Sequence, residues 1–139
     1  MMEAIEKIVT ISAPEIEQTL NRLTEEILRR HGDLSKLALV GIRTGGAFLA
    51  QRLGLKLKAR TSRLVPVGIL DITLYRDDWT RISHRPQVGK TELDFSLDDI
   101  DVVLVDDVLF TGRTVRAAMD ALTDFGRPRR LELAVLVDR

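Results

Sequence analysis

One stretch of the chain, residues 102–114, reads VVLVDDVLFTGRT and decides the fold prediction. It begins within Ile100–Val105, an apolar run that predicts a buried strand, and the carboxylates of Asp106 and Asp107 follow this run at once. A short loop from Thr111 then opens a predicted helix that stops at Gly126. Open α/β sheets bind their ligands at the carboxyl ends of their strands, so we expect a ligand site here. The apolar side of the helix is formed by Val115, Ala118, Met119 and Leu122.

Further helices and strands alternate on either side of this stretch. Pro14 opens a segment whose apolar residues recur at helical spacing, which predicts an amphipathic helix ending at Gly32. The apolar run Leu37–Ile42 predicts another buried strand. The other predicted elements are a helix at Ala47–Leu53, a strand region from Val65 to Tyr75, a long polar loop from Arg76 to Lys90 and a strand at Leu131–Val137. The alternation predicts one α/β domain over residues 1–139, a mostly parallel twisted sheet flanked by helices on both faces.

The composition excludes several classes of function. Lys plus Arg and Asp plus Glu number 21 each, so the net charge is zero, which argues against a chain that coats nucleic acid or an anionic membrane. Cysteine is absent, which removes disulfides and thiolate nucleophiles, and two histidines do not suggest a structural zinc site. No apolar run approaches the roughly 20 residues of a membrane helix, and Glu3 and Glu6 interrupt the apolar start. We expect a cytoplasmic protein without membrane contact.

The residues after the central strand suit a phosphorylated sugar. Amides at a helix start and the positive end of the helix dipole form a phosphate cradle, and Gly112 lets the backbone approach closely. Thr111 and Thr114 add hydroxyl donors, while Asp106 and Asp107 accept hydrogen bonds from vicinal sugar hydroxyls. A bland alternative makes the carboxylates a solvated strand end and the threonines helix caps. The combination at this spacing favours the ligand site.

Two further motifs are compatible with anion binding and with simpler roles. Residues 40–46, VGIRTGG, place Arg43 before a glycine pair and a helix, which suits a second anion such as pyrophosphate, although Gly-Gly also marks ordinary turns. Residues 71–79, DITLYRDDW, form either a charged surface hairpin with Tyr75 and Trp79 packed at its base, or a segment in which Tyr75 and Arg76 close over a phosphate-bearing substrate and exclude water. Spacing alone does not separate these alternatives.

The histidines and the basic run 127–130 fit structural roles. His31 falls at the predicted end of the first helix, where the dipole favours a cation, and His84 falls in the polar loop. Neither is expected to be catalytic. The run RPRR at 127–130 is typical of a solvated turn, although it also suits contact with RNA phosphates.

The three motifs together resemble a known family. Residues 102–114 are similar to the phosphoribosyl pyrophosphate (PRPP) signature of type I phosphoribosyltransferases, and residues 71–78, 102–122 and 126–139 resemble one branch, the bifunctional pyrimidine operon regulators and uracil phosphoribosyltransferases. The resemblance implies transfer of ribose 5-phosphate from PRPP to uracil, giving UMP and pyrophosphate. It also implies a flexible hood loop. Because the family continues for several tens of residues beyond the position of Arg139, we expect the segment that completes the base pocket to be missing here.

The resemblance also implies roles for individual residues. Asp106 and Asp107 would bind the ribose hydroxyls, and the catalytic set would be Tyr75, Arg76, Asp77 and Asp107, with residues 75–78 beginning the hood. Magnesium would arrive with PRPP, held mostly by its oxygens and by water, so no residue of the chain is assigned as a metal ligand. Relatives form dimers and larger assemblies, so we expect a homo-oligomer. The 5-phosphate would be cradled by Thr111, Gly112, Arg113 and Thr114, and pyrophosphate by Arg43, Thr44, Gly45 and Gly46.

Two departures from the family pattern bear on regulation by RNA. Members that attenuate transcription commonly have Thr-Arg-Gly where this chain has Thr44-Gly45-Gly46, and here Arg22 is followed by Glu25 and Glu26 on the first helix. Acidic groups beside phosphates weaken binding to RNA. The rival hypotheses are an RNA-binding attenuator that only senses PRPP or nucleotide, and a purine phosphoribosyltransferase. A phospho-receiver domain is rejected because no lysine follows Lys90.

Overall fold

The computed structural model describes residues 12–43, 45–72, 91–109 and 112–138, and for residues 108–109, 112–115 and 137–138 it describes the backbone only. Three helices and four strands alternate along these residues. In chain order they are α1 (Ala13–His31), β1 (Leu37–Ile42), α2 (Gly45–Thr61), β2 (Val67–Leu70), β3 (Asp101–Leu109), α3 (Gly112–Thr123) and β4 (Arg130–Asp138). None of the described helices is long and apolar enough to cross a membrane.

The four strands form one parallel sheet in the order β2-β1-β3-β4. Val40 of β1 lies opposite Gly68 of β2 on one side and Leu104 of β3 on the other. The chain therefore moves outward from β1 to β2 in one direction and from β3 to β4 in the other, which makes the space between β1 and β3 a topological switch point. Such points are where open parallel sheets bind ligands, at the carboxyl ends of the strands.

Helices cover both faces of the sheet, as the sequence predicts. Alternate residues of β1 and β3 point to opposite faces, so each strand contributes to two cores, and this explains its unbroken apolar run. Helices α1 and α2 cover one face and α3 covers the other. The first core includes Leu20, Ile27, Leu39, Leu53, Leu57, Val103 and Val105; the second includes Val40, Ile42, Leu70, Leu97, Val102, Leu104, Ala118 and Leu122.

Helix α1 matches its prediction closely because its end signals are strong. Ser12 is the N-cap, and it and Glu15 form a reciprocal capping box in which each side chain accepts a hydrogen bond from the other residue's backbone amide. Pro14 lies in the first turn. Gly32 closes the helix with a φ of 55°, in the left-handed region that glycine reaches without steric cost.

Several predicted boundaries differ from the structure, including those of β4, which runs over Arg130–Asp138 instead of Leu131–Val137. Helix α2 runs over Gly45–Thr61 instead of Ala47–Leu53, because its buried face continues through Leu57 and Gly54 packs tightly against Val67. Strand β2 is confined to Val67–Leu70, without the predicted residues 65, 66, 71 and 72. Strand β3 extends to Leu109, since β4 pairs with it that far. Helix α3 ends at Thr123, and a turn precedes Gly126.

The predicted apolar face of α3 is also wrong in one residue. Met119 is 47% exposed, whereas Ala117, Ala118, Ala121 and Leu122 are buried against the sheet. The buried stripe is therefore rotated toward the alanines, which allow α3 to approach the strands closely. The polar loop at 76–90 and the last residues of the predicted strand region, 73–75, lie outside the described residues.

Candidate active site

Asp106 and Asp107 lie in the last part of β3, at the switch point of the sheet. Asp106 is half-buried and is paired in register with Val135 of β4, whereas Asp107 is exposed. The Oδ1 atom of Asp106 accepts a hydrogen bond from the backbone amide of Asp107 at 2.8 Å. The two carboxylates therefore belong to the strand itself, and the ladder with β4, which pairs Asp106 with Val135 and Val108 with Val137, holds their backbone.

The surroundings of Asp106 disfavour its ionised form. Burial raises the pKa of Asp106 to about 7, and the side chain and charge of Asp107 add to the rise against the lowering effect of the backbone amide. Asp106 therefore carries a proton for part of the time near neutral pH. Strongly shifted carboxyl groups in a cleft are typical of functional sites.

The glycines after β1 pack directly against the end of β3. A Cβ atom on Gly46 would lie 2.0 Å from the carbonyl oxygen of Val105, and one on Gly41 would lie 2.3 Å from the carbonyl oxygen of Gly46. A Cβ atom on Gly45 would lie 2.5 Å from Oδ2 of Asp107. The structure thus brings the start of α2 into contact with the carboxylate pair, and only residues without side chains fit in this joint.

Arg43 lies beside the same joint, at the end of β1. Its backbone amide donates to the carbonyl oxygen of Leu70 at 2.9 Å, which continues the sheet ladder by one step. Its guanidinium lies 3.6 Å from Glu92, measured from Nη2 to Oε2. Glu92 is held in turn by two backbone hydrogen bonds with Ile69, at 2.8 and 2.9 Å, as an antiparallel bridge on the outer edge of β2. Sequence reasoning missed Glu92 because no motif links it to Arg43.

The two segments that flank residues 73–90 lie close together. The backbone amide of Asp71 donates to Oγ1 of Thr91 at 3.0 Å, next to the bridge between Ile69 and Glu92. Both ends thus meet at the carboxyl edge of the sheet, on the side of β1 that carries Arg43. The predicted catalytic residues Tyr75, Arg76 and Asp77 lie between these ends and outside the described residues.

The predicted 5-phosphate cradle includes the start of helix α3. Gly112 is the first residue of α3, which starts shortly after β3 and therefore directs its N-terminus to the same edge as α2. Arg113 and Thr114 follow within the first turn of this helix. Thr44 and Thr111 lie outside the described residues. Among the described residues, no group of three or more His, Asp or Glu side chains is arranged to hold a metal ion.

His31 lies far from this site, at the opposite edge of the sheet. Its side chain is 3% exposed, with Nε2 at 2.7 Å from Glu132 Oε1 and Nδ1 at 3.4 Å from Asp101 Oδ2. The sequence placed His31 at the end of α1 but not between two carboxylates, since Asp101 and Glu132 come from distant strands. Its contacts make it part of the joint between α1 and the sheet.

Known proteins share both the sequence and the fold. A model of the phosphoribosyl transferase domain matches residues 10–139. Curated proteins named bifunctional protein PyrR are similar along nearly the whole chain. The one from Syntrophobacter fumaroxidans is 56% identical over 131 residues, covering 94% of this chain and 70% of the relative. The one from Desulfosudis oleivorans is 51% identical over 138 residues, covering 99% and 76%.

Solved structures agree with the fold at lower sequence identity. A purine phosphoribosyltransferase from Pyrococcus horikoshii superposes with a TM-score of 0.65 at 19% identity, covering 94% of this chain and 76% of that one. A hypoxanthine phosphoribosyltransferase from Staphylococcus aureus gives 0.66 at 22% identity, covering 96% and 68%. The likeness to these two proteins is one of fold.

Proposed function

This chain belongs to the phosphoribosyl transferase domain family, and within it to the PyrR proteins, and from this membership we propose that it transfers ribose 5-phosphate from PRPP to uracil. The products are UMP and pyrophosphate. The observation that carries the proposal is the joint at the switch point, where Gly45 and Gly46 meet Asp107 and the backbone beside Asp106. This close approach supports a single site built from two parts of the chain, one that suits an anion and one that suits a sugar.

The proposed substrate position follows from the order of these groups. Asp106 and Asp107 accept hydrogen bonds from the two ribose hydroxyls at the end of β3. The N-terminus of α3, with Thr111, Gly112, Arg113 and Thr114, receives the 5-phosphate. Arg43 and the N-terminus of α2, with Thr44, Gly45 and Gly46, receive pyrophosphate on the other side. Each helix start offers amide donors and the positive end of a dipole, which suits an anion.

The proposed chemistry needs no protein nucleophile. The bond from the anomeric carbon to pyrophosphate breaks, a bond to a uracil nitrogen forms, and the proton that this nitrogen loses passes to solvent. Positive charge develops on the ribose during this exchange, and negative charge develops on the leaving group. The carboxylates lie near the first charge, while Arg43 and the start of α2 lie near the second. Tyr75, Arg76 and Asp77 stay predicted catalytic residues.

In the proposed reaction, Mg²⁺ arrives bound to PRPP. Mg²⁺ is a hard cation that prefers oxygen ligands, keeps several waters and usually binds substrate phosphates. The adjacent carboxylates of Asp106 and Asp107 supply oxygen atoms of this kind at the ribose position. When bound, the ion neutralises charge on the pyrophosphate group.

The direct test is to measure UMP formation from uracil and PRPP with Mg²⁺, with hypoxanthine offered as the competing base. We expect product that depends on uracil and on both Asp106 and Asp107. Product from hypoxanthine instead would support a purine phosphoribosyltransferase. Saturable PRPP binding without any product would leave the phosphate site intact and contradict the proposed transfer by this chain. Sedimentation of the same sample tests the predicted homo-oligomer.

The proposal does not extend to RNA binding through the outer face of α1 and α2. There three basic side chains of α2 pair with carboxylates of α1. Glu17 accepts from Arg52, at 2.6 Å, and from Lys56, while Glu25 accepts from Arg60. Paired charges release fewer counterions from RNA, so they add little affinity. Salt-dependent binding to a pyrimidine-operon leader RNA would support the attenuator hypothesis instead.

A further inference from the structure

Two carboxylates of the protein already face the groups that would bind pyrophosphate. The guanidinium of Arg43 lies 3.6 Å from Glu92. At the other side of the turn, the carboxylate of Asp107 lies against Gly45, the first residue of α2, so closely that a Cβ atom there would come within 2.5 Å of Oδ2. The cationic side chain and the positive helix end are thus each in contact with a negative group.

From this arrangement, and resting on the proposed function, we propose that Glu92 and Asp107 are internal competitors of pyrophosphate. They hold the anion-binding groups in the ligand-free protein and must yield them when pyrophosphate binds. Glu92 acts through Arg43, so it is a positioning residue. It belongs to none of the sequence motifs.

The strength of the contact between Arg43 and Glu92 decides how strongly Glu92 competes with pyrophosphate. The side chains of Arg43 and Glu92 are 28% and 53% exposed, and exposed pairs of this kind are weak. Glu92 therefore orients the guanidinium without blocking the site. Its backbone cannot drift away, because two hydrogen bonds tie it to Ile69. The competing charge thus remains close to the bound anion.

The competition by Asp107 depends on whether ribose is bound. In the proposed complex its carboxylate accepts a hydrogen bond from a ribose hydroxyl, which draws it from Gly45 and frees the start of α2. Pyrophosphate attached to ribose therefore meets less competition than free pyrophosphate does. After transfer, the carboxylate can return to α2, and this return favours release of the product.

The test is the affinity of inorganic pyrophosphate, measured by isothermal titration calorimetry without Mg²⁺, so that no cation bridges ligand and carboxylate. For Glu92→Gln we expect binding about 2- to 5-fold tighter than for the natural chain, as the loss of one weak pair allows. For Asp107→Asn we expect about 5- to 10-fold tighter binding, because a full charge leaves the helix start. Asp94→Asn is the control: Asp94 is exposed, near Glu92 in sequence, and carries the same charge.

The outcomes separate this inference from the proposed function. Equal or weaker binding by both Glu92→Gln and Asp107→Asn, while the natural chain binds pyrophosphate and Arg43→Ala loses it, overturns the competition and leaves the transferase proposal standing. A change of the same size in Asp94→Asn also overturns it, since any lost charge would then suffice. If neither the natural chain nor any variant binds pyrophosphate without Mg²⁺, the competition is overturned, and UMP formation with Mg²⁺ alone decides the transferase proposal. Thermal unfolding midpoints of Glu92→Gln and Asp94→Asn should match, which excludes a merely structural effect.

Discussion

Asp101 and Asp106 stand near opposite ends of β3, and their surroundings differ in kind. Asp101 is 4% exposed and fully paired: Arg129 donates to both of its carboxylate oxygens at 3.0 Å, and His31 lies at 3.4 Å. Hydrogen bonding and charge from Arg129 lower the pKa of Asp101 below its usual value. Asp106 is half-buried beside another acid, and burial raises its pKa to about 7.

The contrast shows how one strand serves two purposes. At the amino end, Arg129 before β4 pairs with the buried acid and His31 of α1 contacts it, and the network with Glu132 ties α1 to the sheet. At the carboxyl end no described cation takes that role for Asp106, and the nearest partner is Asp107. A poorly compensated acid at a switch point suits a ligand that supplies hydroxyls and a cation. We therefore propose that the amino end of β3 serves stability and that its carboxyl end serves ligand binding.

Removal of both acids at the carboxyl end is the largest expected effect. The double variant Asp106→Asn, Asp107→Asn should lower kcat/KM for PRPP by about 10²–10³-fold, because it removes the charge that faces the developing positive ribose. The free energy of unfolding, measured by urea denaturation at pH 7, should not fall. A loss of stability that parallels the loss of activity would erase the contrast between the two ends.

Removal of the acid at the amino end should do the opposite. Asp101→Asn removes the carboxylate that pairs with Arg129, leaves His31 with Glu132 alone, and should lower the free energy of unfolding by about 2–3 kcal/mol. The KM for PRPP of the folded variant should be unchanged, since Asp101 lies at the far edge of the sheet. Urea denaturation and initial-rate kinetics check the two halves. A raised KM with unchanged stability would contradict the assignment of this end to stability.

The sequence predicts the strands and helices around Asp101 and Asp106 better than it predicts the contacts between residues that are distant in the chain. The apolar runs at β1 and β3 identify both buried strands, and the acids and glycines after them are predicted at the correct edge. The sequence predicts α2 too short because Gly54 interrupts the helical spacing of its apolar residues. In the structure Gly54 packs against Val67 and the helix continues. The contacts of Glu92 with Arg43 and of His31 with Asp101 join distant segments, and only the three-dimensional fold brings them together.

The smallest expected effect is on the pH dependence of the free energy of unfolding, which should differ between Asp106 and Asp101. Because the pKa of Asp106 is raised in the folded state, folding favours its proton, and stability falls as the pH rises from about 4 to about 7. Asp106→Asn should remove this decline. At pH 8 the variant should be more stable than the natural chain by about 1–2 kcal/mol, since solvent reaches part of the carboxyl and screens the penalty, and the gain should vanish near pH 4.

Asp101 should produce a slope of the opposite sign at lower pH. Its lowered pKa contributes stability above the ordinary value of 3.8, and this contribution is lost as the pH falls through the folded-state value. In Asp101→Asn the acid limb should therefore flatten while the decline between pH 4 and 7 persists, and in Asp106→Asn the reverse should hold. Urea denaturation at pH 3, 4, 6 and 8 measures both limbs. If one substitution changed both limbs, the two ends of β3 would be electrostatically coupled, and their separation into a stabilising end and a binding end would be wrong.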